Sequence, residues 1–147
     1  MAKILAVCKS DTKGISKSPA SSVLLKLNYG IVGDAHAGEN TAREISLLSI
    51  DSINSMNISD HNFKPGGFAE NFTTSGINLV VLPVGTFLQV GEEVVIQITQ
   101  IGKQCHSGCA IFKEVGKCVM PKEGVFARVI KEGVVKAEDT IQIIGSE

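Results

Sequence analysis

The sequence of 147 residues is poor in aromatic side chains, with no tryptophan, one tyrosine and 5% aromatics in all. Proteins that hold single-stranded nucleic acid without sequence preference stack bases on aromatic side chains in a basic groove. No excess of positive charge is present either, because 14 basic and 15 acidic residues leave a formal net charge of −1. We therefore expect no nucleic-acid partner.

Long hydrophobic runs are also absent. A membrane-spanning helix needs roughly 18 consecutive apolar residues, and no stretch of the sequence approaches that length. The first apolar run ends at Lys9 and Asp11, too early for the apolar region of a signal peptide. We expect no membrane partner and a cytoplasmic location. In that compartment the four cysteines are expected to be free thiols, metal ligands or catalytic groups rather than structural disulfides.

The composition is that of a globular protein, 44% hydrophobic and 20% charged. Its length and the lack of repeats or linkers predict a single domain over residues 1–147. Short apolar segments between glycine turns predict a mainly β fold with short helices, a barrel or sandwich rather than alternating βαβ units. The predicted strands are residues 3–9, 23–27, 45–48, 87–90, 94–99, 124–130 and 140–144, and residues 79–82 are predicted to be a strand or the entry into one.

Three other segments have distinct predictions. Residues 10–20 and 29–38 are rich in turn-forming residues, which predicts a surface loop and a shaped, glycine-rich loop. Ser49 is placed to cap a short helix in which Ile50 and Ile53 recur at a spacing of three. Residues 57–67 predict an irregular connection.

The segment from residue 102 to 118 concentrates the reactive side chains. Cys105, His106, Cys109 and Cys118 together supply the four ligands of a tetrahedral zinc site. Their spacing does not match the paired Cys-x-x-Cys units of zinc knuckles, and adjacent residues 105 and 106 rarely reach one ion together. Structural zinc is therefore one interpretation and not the preferred one.

A reactive thiolate is the preferred interpretation. Cys109 follows Ser-Gly and precedes Ala-Ile-Phe, a pattern that predicts a helix or turn beginning at the cysteine. A helix start and neighbouring lysines such as Lys103 both lower a thiol pKa. Cys105 is a close second candidate, whereas Cys8 and Cys118 sit in apolar surroundings and are interpreted as packing residues.

Two further groups of polar residues are candidate ligand-binding sites. Asp34 and His36 lie within Gly33–Gly38, where glycine lets the backbone approach a ligand closely, and Arg43 can grip a phosphate or carboxylate. Asn71 and Thr73 can hydrogen-bond a polar cofactor such as a pterin or nucleotide. Both groups also have a plain interpretation as hydrogen-bonded turns and caps.

Taken together, these segments resemble a MOSC domain, the module similar to the C-terminal part of molybdenum cofactor sulfurase. The resemblance extends from Lys3 to about Ile144 and is closest to the short stand-alone bacterial members. The order and spacing of several short motifs carry it. These are residues 32–38, 43–49, 70–73, 82–85, 102–106 with Cys109, and 124–129.

The resemblance implies a closed or partly open β-barrel of the MOSC, pyruvate-kinase barrel-like type. It also implies a cysteine that carries sulfur or ligates molybdenum, best matched by Cys109 and then by Cys105. The expected activity is sulfur transfer, or a part in a molybdenum-dependent reductase. The expected cofactor is molybdopterin, with no pyridoxal phosphate, and the expected partner is a cofactor-biosynthesis or sulfur-donor protein. The expected ligand-binding residues are Asp34, His36, Arg43, Asn71, Thr73, Lys103, His106 and Arg128, with Cys109 as the ligand of molybdenum.

The alternative is a non-enzymatic module, either stabilised by zinc or binding a partner in a cofactor-assembly complex. One departure from the family pattern is visible before the last predicted strand. The Gly-Asp that is common there is Glu138-Asp139 in this chain, which predicts a change in the turn only.

Overall fold

The computed structural model describes residues 2–9, 18–34, 37, 44–55, 70–102 and 124–146. Within these residues the chain forms eleven strands, one α-helix and one 3-10 turn. The strands are β1 Lys3–Lys9, β2 Ser18–Ala20, β3 Ser22–Lys26, β4 Gly30–Ile31, β5 Ile45–Ser49, β6 Phe72–Ser75, β7 Thr86–Val90, β8 Val94–Ile101, β9 Val125–Lys131, β10 Gly133–Lys136 and β11 Ile141–Ser146; helix α1 is Ile50–Ser55 and the 3-10 turn is Leu79–Val81.

Eight strands form the main sheet, in the order β11-β7-β8-β9-β5-β6-β1-β2. The neighbours β5 and β6 are parallel, and every other pair in this sheet is antiparallel. The sheet curls until β1 meets the residues before β11: Lys3 bridges Thr140, and the Ile4 amide donates to the Asp139 carbonyl at 2.8 Å. The predicted mainly β, barrel-like fold is therefore confirmed.

A second sheet, ordered β10-β3-β4, packs against the main one. Leu25 and Val135, on its inner face, belong to the same buried cluster as Ile4, Phe72 and Ile96 of the main sheet. Alternate residues of β3 are exposed, which is the period-2 pattern of a strand with one wet face. One hydrophobic core therefore joins both sheets.

Apart from residues 79–82, all seven predicted strands are present, with bounds shifted by at most a few residues. Helix α1 is also confirmed, because Ser49 Oγ accepts a hydrogen bond from the Asp51 amide at 3.1 Å, as a helix cap should. No helix among the described residues is long and apolar enough to cross a membrane.

The strand prediction for residues 79–82 is wrong, since Leu79–Val81 form a 3-10 turn closed by the Leu82 amide donating to the Leu79 carbonyl at 3.1 Å. The sequence predicts no strand between residues 130 and 140, but β10 lies there, between β9 and β11. One residue separates β10 from β9, yet β10 pairs with β3 of the second sheet, which is far away in sequence. Apolar pattern alone does not distinguish these cases.

Strands also occur where loops were expected. Ser18–Ala20 pairs with the end of β1, so Pro19 sits in an edge strand, a place where a missing N–H is tolerated. Gly30–Ile31 pairs with β3 inside the predicted glycine-rich loop. The sequence marks residues 70–73 only as a polar motif, yet Phe72–Ser75 is a central strand between β5 and β1. The predicted connection over residues 57–67 lies outside the described residues.

Candidate functional site

Asn71 lies just before β6 and ties three strands together. Its Oδ1 accepts hydrogen bonds from the amide and the hydroxyl of Ser46, at 3.0 and 3.2 Å, and its Nδ2 donates to the Cys8 carbonyl at 3.0 Å. The Asn71 amide donates in turn to Ser46 Oγ at 3.0 Å. All three residues are buried. This network fixes where the end of β1 and the starts of β5 and β6 meet.

The same polar layer continues on the face of the sheet opposite the core. Leu47 and Phe72 belong to the core cluster, so strand alternation places Ser46 and Thr73 on the other face. Thr73 is fully buried and donates its hydroxyl hydrogen to Glu70 Oε2 at 2.8 Å. This outer face of β5 and β6 is therefore a buried polar surface rather than a solvated one.

Glu44 lies immediately before β5, and its carboxyl is buried. Its Oε1 accepts a hydrogen bond from the Val129 amide of β9 at 2.8 Å. Its Oε2 is buried and has no hydrogen-bond partner among the described residues. Burial raises the pKa of Glu44, while the Val129 hydrogen bond and the charge of Arg128 oppose the rise.

Arg128 lies in the middle of β9 with its side chain directed away from the core. Its Nε donates to Gln97 Oε1 on β8 at 2.9 Å. This bond orients the guanidinium along the outer face of the sheet and leaves its terminal nitrogens for a further partner. Gln97 is itself buried, so its side-chain amide fixes the position of the Arg128 guanidinium.

The turn after β4 brings glycine backbone next to a cation. Gly33 has a φ of +89°, and a Cβ at this position would lie 3.3 Å from Lys9 Nζ. Asp34 follows, is buried, and its amide donates to the Ile31 carbonyl at 3.1 Å. Gly30 is equally constrained, since a Cβ there would lie 2.6 Å from the Glu44 carbonyl oxygen. The described part of the glycine-rich loop is thus packed against β1 and the start of β5.

Residues 103–123, which we call the thiol-bearing connection, join β8 to β9. The structure describes its two flanking residues: the Gly102 amide donates to the Gly124 carbonyl at 2.7 Å. Val125, the next residue, pairs with Ile101 on one side and with Leu47 of β5 on the other. The connection therefore leaves the sheet directly beside β5.

A cleft of about 430 Å³ opens beyond the ends of β5 and β6. Helix α1 lies on one side of it and the segment after β6 on the other. Its described lining consists of Ser49, Asp51, Ser52, Gly76, Ile77, Asn78, Leu79 and Val80.

The structure places some of the predicted site residues and not others. Asp34, Asn71, Thr73 and Arg128 are described, and Asn71 lies within the network that joins β1, β5 and β6. Asn71 and Thr73 use their side chains for bonds within the fold, so their expected role towards a cofactor stays a prediction. The remaining predicted residues lie outside the described part of the chain: His36, Arg43, Lys103, Cys105, His106 and Cys109.

Of the two cysteines expected to be packing residues, the structure describes one. Cys8 is fully buried in β1, which confirms its prediction as a packing residue. Cys118 lies outside the described residues, and with it the zinc interpretation. Over the part of the chain that the structure describes, no group of three or more His, Cys, Asp or Glu side chains is arranged to hold a metal ion.

Sequence reasoning did not select Lys9, Glu44 or Ser46. Lys9 ends an apolar strand and meets Gly33 only through the fold, so no local signal marks it. Glu44 and Ser46 stand inside a motif used for the family resemblance. The available sequence signal for a buried carboxyl was an acidic residue directly before a predicted strand.

Comparisons with known proteins agree with this architecture. The family model described as MOSC domain matches residues 33–142. YuaD of Bacillus subtilis has a similar structure, with a TM-score of 0.81 and 18% identity over 99% of this chain and 97% of that one. YiiM of Geobacillus stearothermophilus gives 0.77 and 18%, over 99% and 76%. YiiM of Escherichia coli gives 0.68 and 16%, over 100% and 71%.

The identities to these solved structures are too low to show more than a shared fold. No curated protein matches the sequence significantly. The family model, however, covers well over half of the chain. The chain therefore belongs to the MOSC domain family, which is associated with molybdenum-cofactor sulfurase-like proteins.

Proposed function

We propose that this protein handles sulfur for a molybdenum cofactor, using a thiolate of the thiol-bearing connection. Cys109 is the first candidate for the working thiol and Cys105 the second. The reaction class is sulfur transfer, and the ligand is of the molybdopterin type. The observation that carries the proposal is the position of Gly102 and Gly124, which start and end this connection beside the buried polar face of β5.

The first support is the rigidity of that face. The buried hydrogen bonds of Asn71 to Ser46 and Cys8 hold three strands in register. A thiol that attacks a donor or holds a ligand needs neighbours that do not move away. The strand ends beside the connection provide such a platform, and the polar side chains there exclude bulk water because they are buried.

The second support is charge. Arg128 is held along the outer face by Gln97, and Lys9 lies over the exposed backbone of Gly33. The exposed guanidinium of Arg128 suits the phosphate of a molybdopterin-type ligand and would bind and orient that phosphate. We expect Lys103, His106, His36 and Arg43 to add to the same positive rim. Bound molybdopterin would supply the paired sulfur atoms that hold molybdenum.

The transfer step needs a persulfide donor, R–S–SH. The cysteine thiolate attacks the terminal sulfur of the donor, so that a new S–S bond forms on the cysteine as the donor S–S bond breaks. The donor leaves as the thiolate R–S⁻, which keeps both atoms and charge balanced. A cation near the attacking sulfur raises the thiolate fraction and so the rate.

The test is anaerobic incubation with glutathione persulfide, followed by intact-mass spectrometry. The wild-type protein is expected to gain the mass of one sulfur atom, reversibly by reduction. Cys109→Ser is expected to lose this gain, and Cys8→Ala is the matched control because Cys8 is buried and should load no sulfur. Equal loading of Cys109→Ser, Cys105→Ser and wild type would refute the assignment of the working thiol.

Metal analysis of the same preparations separates the alternative. Stoichiometric zinc, whose removal by a chelator unfolds the protein, would favour a zinc-stabilised module. An apo protein with one rapidly alkylated thiol is the result that the sulfur-carrying function predicts.

A further inference from the structure

Strand β11 has an open edge. It stands at one end of the main sheet, where its other edge is paired with β7. On the open side it meets β1 only briefly: Lys3 bridges Thr140, and the Ile141 amide donates to the Ala2 carbonyl at 3.2 Å. Beyond this contact, no strand among the described residues pairs with this side of residues 142–146. The backbone N–H and C=O groups that point to this side are therefore available for another strand.

Both faces of this edge are also uncovered. All of residues 142–146 are exposed, and they include Ile143 at 53% and Ile144 at 50%. A Cβ added at Gly145 would meet no described atom within 4 Å. Ile143 pairs directly with Leu88 of the core, so its side chain continues the apolar inner face of the sheet past the covered part. Covering these isoleucines with a second strand would remove apolar surface from water, which is favourable.

The open edge lacks the features that usually prevent strands from pairing between molecules. Edge strands are commonly protected by lysine, by proline or by very short length. Residues 140–146 contain no charged side chain and no proline. The strand at the opposite end of the same sheet, β2, has three residues, and Pro19 is one of them. One end of the main sheet is thus protected against pairing, and the end formed by β11 is not.

The neutrality of this edge favours a second copy of the same chain as its partner. In a two-fold antiparallel pair each strand meets the same residues of its copy, so any charged side chain would lie close to its equivalent. Residues 140–146 bring no such repulsion. A strand of a different protein is selected by charge or by side-chain pockets, which the exposed residues of β11 do not offer.

We propose that β11 pairs antiparallel with β11 of a second copy through residues 142–146, so that the two main sheets become one continuous sheet. The contact is small, because it spans five residues of each chain and a register shift between Ile143 and Gly145 bends the strand. It buries less than the roughly 800 Å² per partner of a standard stable interface. The dimer therefore forms at high protein concentration and dissociates on dilution. Two-fold symmetry closes the pairing, so that assembly stops at two copies.

Sedimentation velocity of the purified full chain tests the proposal, at low salt and with a reducing agent that prevents disulfide-linked dimers. Wild type is expected to change from monomer towards dimer between about 5 and about 500 μM, the range of a weak interface. Ile144 is the middle residue of the exposed five and lies near the two-fold axis. Ile144→Lys and Ile144→Glu each place like charges across that axis, and each is expected to weaken association about tenfold or more.

An equimolar mixture of Ile144→Lys and Ile144→Glu is expected to recover the association of wild type, because opposite charges then meet. Val134→Lys is the matched control, since Val134 is 51% exposed on β10 of the second sheet. This variant is expected to associate as wild type does. All these substitutions replace exposed side chains, so the far-ultraviolet circular dichroism of the monomer is expected to stay unchanged.

Three results would overturn the proposal. The first is wild type that remains monomeric at about 500 μM, well above the dissociation constant of a weak but specific interface. The second is growth beyond the dimer, which would indicate a head-to-tail contact instead of a two-fold one. The third is equal weakening by Val134→Lys and Ile144→Lys, or a mixture of the two charge variants that stays monomeric, since the contact would then lie elsewhere than β11.

Discussion

Single side chains show how polar groups stabilise this fold from inside. Asn71 is buried, and its amide makes three hydrogen bonds to two other strands. Asn71→Ala would leave the Ser46 amide and the Cys8 carbonyl buried with fewer partners. A loss of about 3 kcal/mol in the free energy of unfolding is expected from such deletions. Urea unfolding followed by circular dichroism measures it.

Gln89→Ala is the matched control for Asn71, because the Gln89 amide makes only two long contacts of 3.4 Å. Its stability is expected to stay within about 0.5 kcal/mol of wild type. Equal effects of the two substitutions would show that the Asn71 network does not tie the strands together.

Glu44 gives the protein a specific pH dependence. Burial raises the pKa of its carboxyl above the ordinary 4.5. Between 4.5 and the raised value the folded chain binds more protons at this site than the unfolded chain. Stability therefore decreases as the pH rises through this window and changes no further above it.

Glu44→Gln keeps an oxygen that accepts from the Val129 amide but cannot ionise. The variant is expected to be as stable as wild type at the acid end of the window and more stable above it. Thermal melts of both proteins across the acid to neutral range measure the difference. A constant difference at all pH values would contradict the shifted titration.

Among the elements, the turn before β11 combines strain with hydrogen bonding. Glu138 has a φ of +76°, although it is not a glycine, so the backbone is left-handed at the position where the family commonly has glycine. Its amide donates to the Ile4 carbonyl at 2.7 Å, and Lys3 Nζ lies 2.7 Å from its carboxylate. The hydrogen bond to Ile4 fixes the closure of the sheet and holds the Glu138 backbone in an unfavourable left-handed conformation.

Glu138→Gly is expected to stabilise the protein by about 0.5–1 kcal/mol. Relief of the left-handed conformation contributes roughly 1–2 kcal/mol, and loss of the exposed Lys3 ion pair costs about 0–1 kcal/mol. Lys3→Ala alone isolates the second effect. If Glu138→Gly were less stable than Lys3→Ala, the strain at Glu138 would be refuted.

Sequence patterns located the elements whose stabilisation is local. Alternating or continuous apolar residues predicted β5, β7 and β8, and the Ser49 hydroxyl predicted the start of α1. The strand Phe72–Ser75 has two threonines and a serine, and only its position between β5 and β1 makes it central. Partners distant in sequence, rather than its own residues, determine that segment.

The complete fold is expected to unfold in one step, because both sheets share one core. Leu25 of the small sheet and Phe72 of the main sheet belong to the same buried cluster. Tyr29, the one tyrosine in the sequence, lies beside the small sheet and reports on it by fluorescence. Far-ultraviolet circular dichroism reports mainly on the larger sheet.

Coincident urea midpoints by the two signals are the expected result for a single cooperative domain. A tyrosine transition at lower urea than the circular dichroism transition would show that the small sheet unfolds independently. That outcome would contradict the prediction of one domain over residues 1–147.

The candidate site shows the same division between local and long-range information. The cysteine-rich segment, the glycine-rich loop and the Asn71 motif were all visible as clusters of chemically capable residues. Their arrangement in space was not, because it depends on which strand ends meet. Lys9 near Gly33 and Glu44 against Val129 each join segments that are far apart in the chain.

Local sequence thus determined the β character of the chain, the helix cap, the buried Cys8 and the family to which the chain belongs, since these depend on near neighbours and on motif order. Tertiary structure decided that β6 is central, that Asn71 hydrogen-bonds Ser46 and Cys8, and that a cleft with one described carboxylate opens next to the base of the thiol-bearing connection. The physical reason is strand pairing: a β-sheet brings together backbone segments whose contact no local pattern encodes.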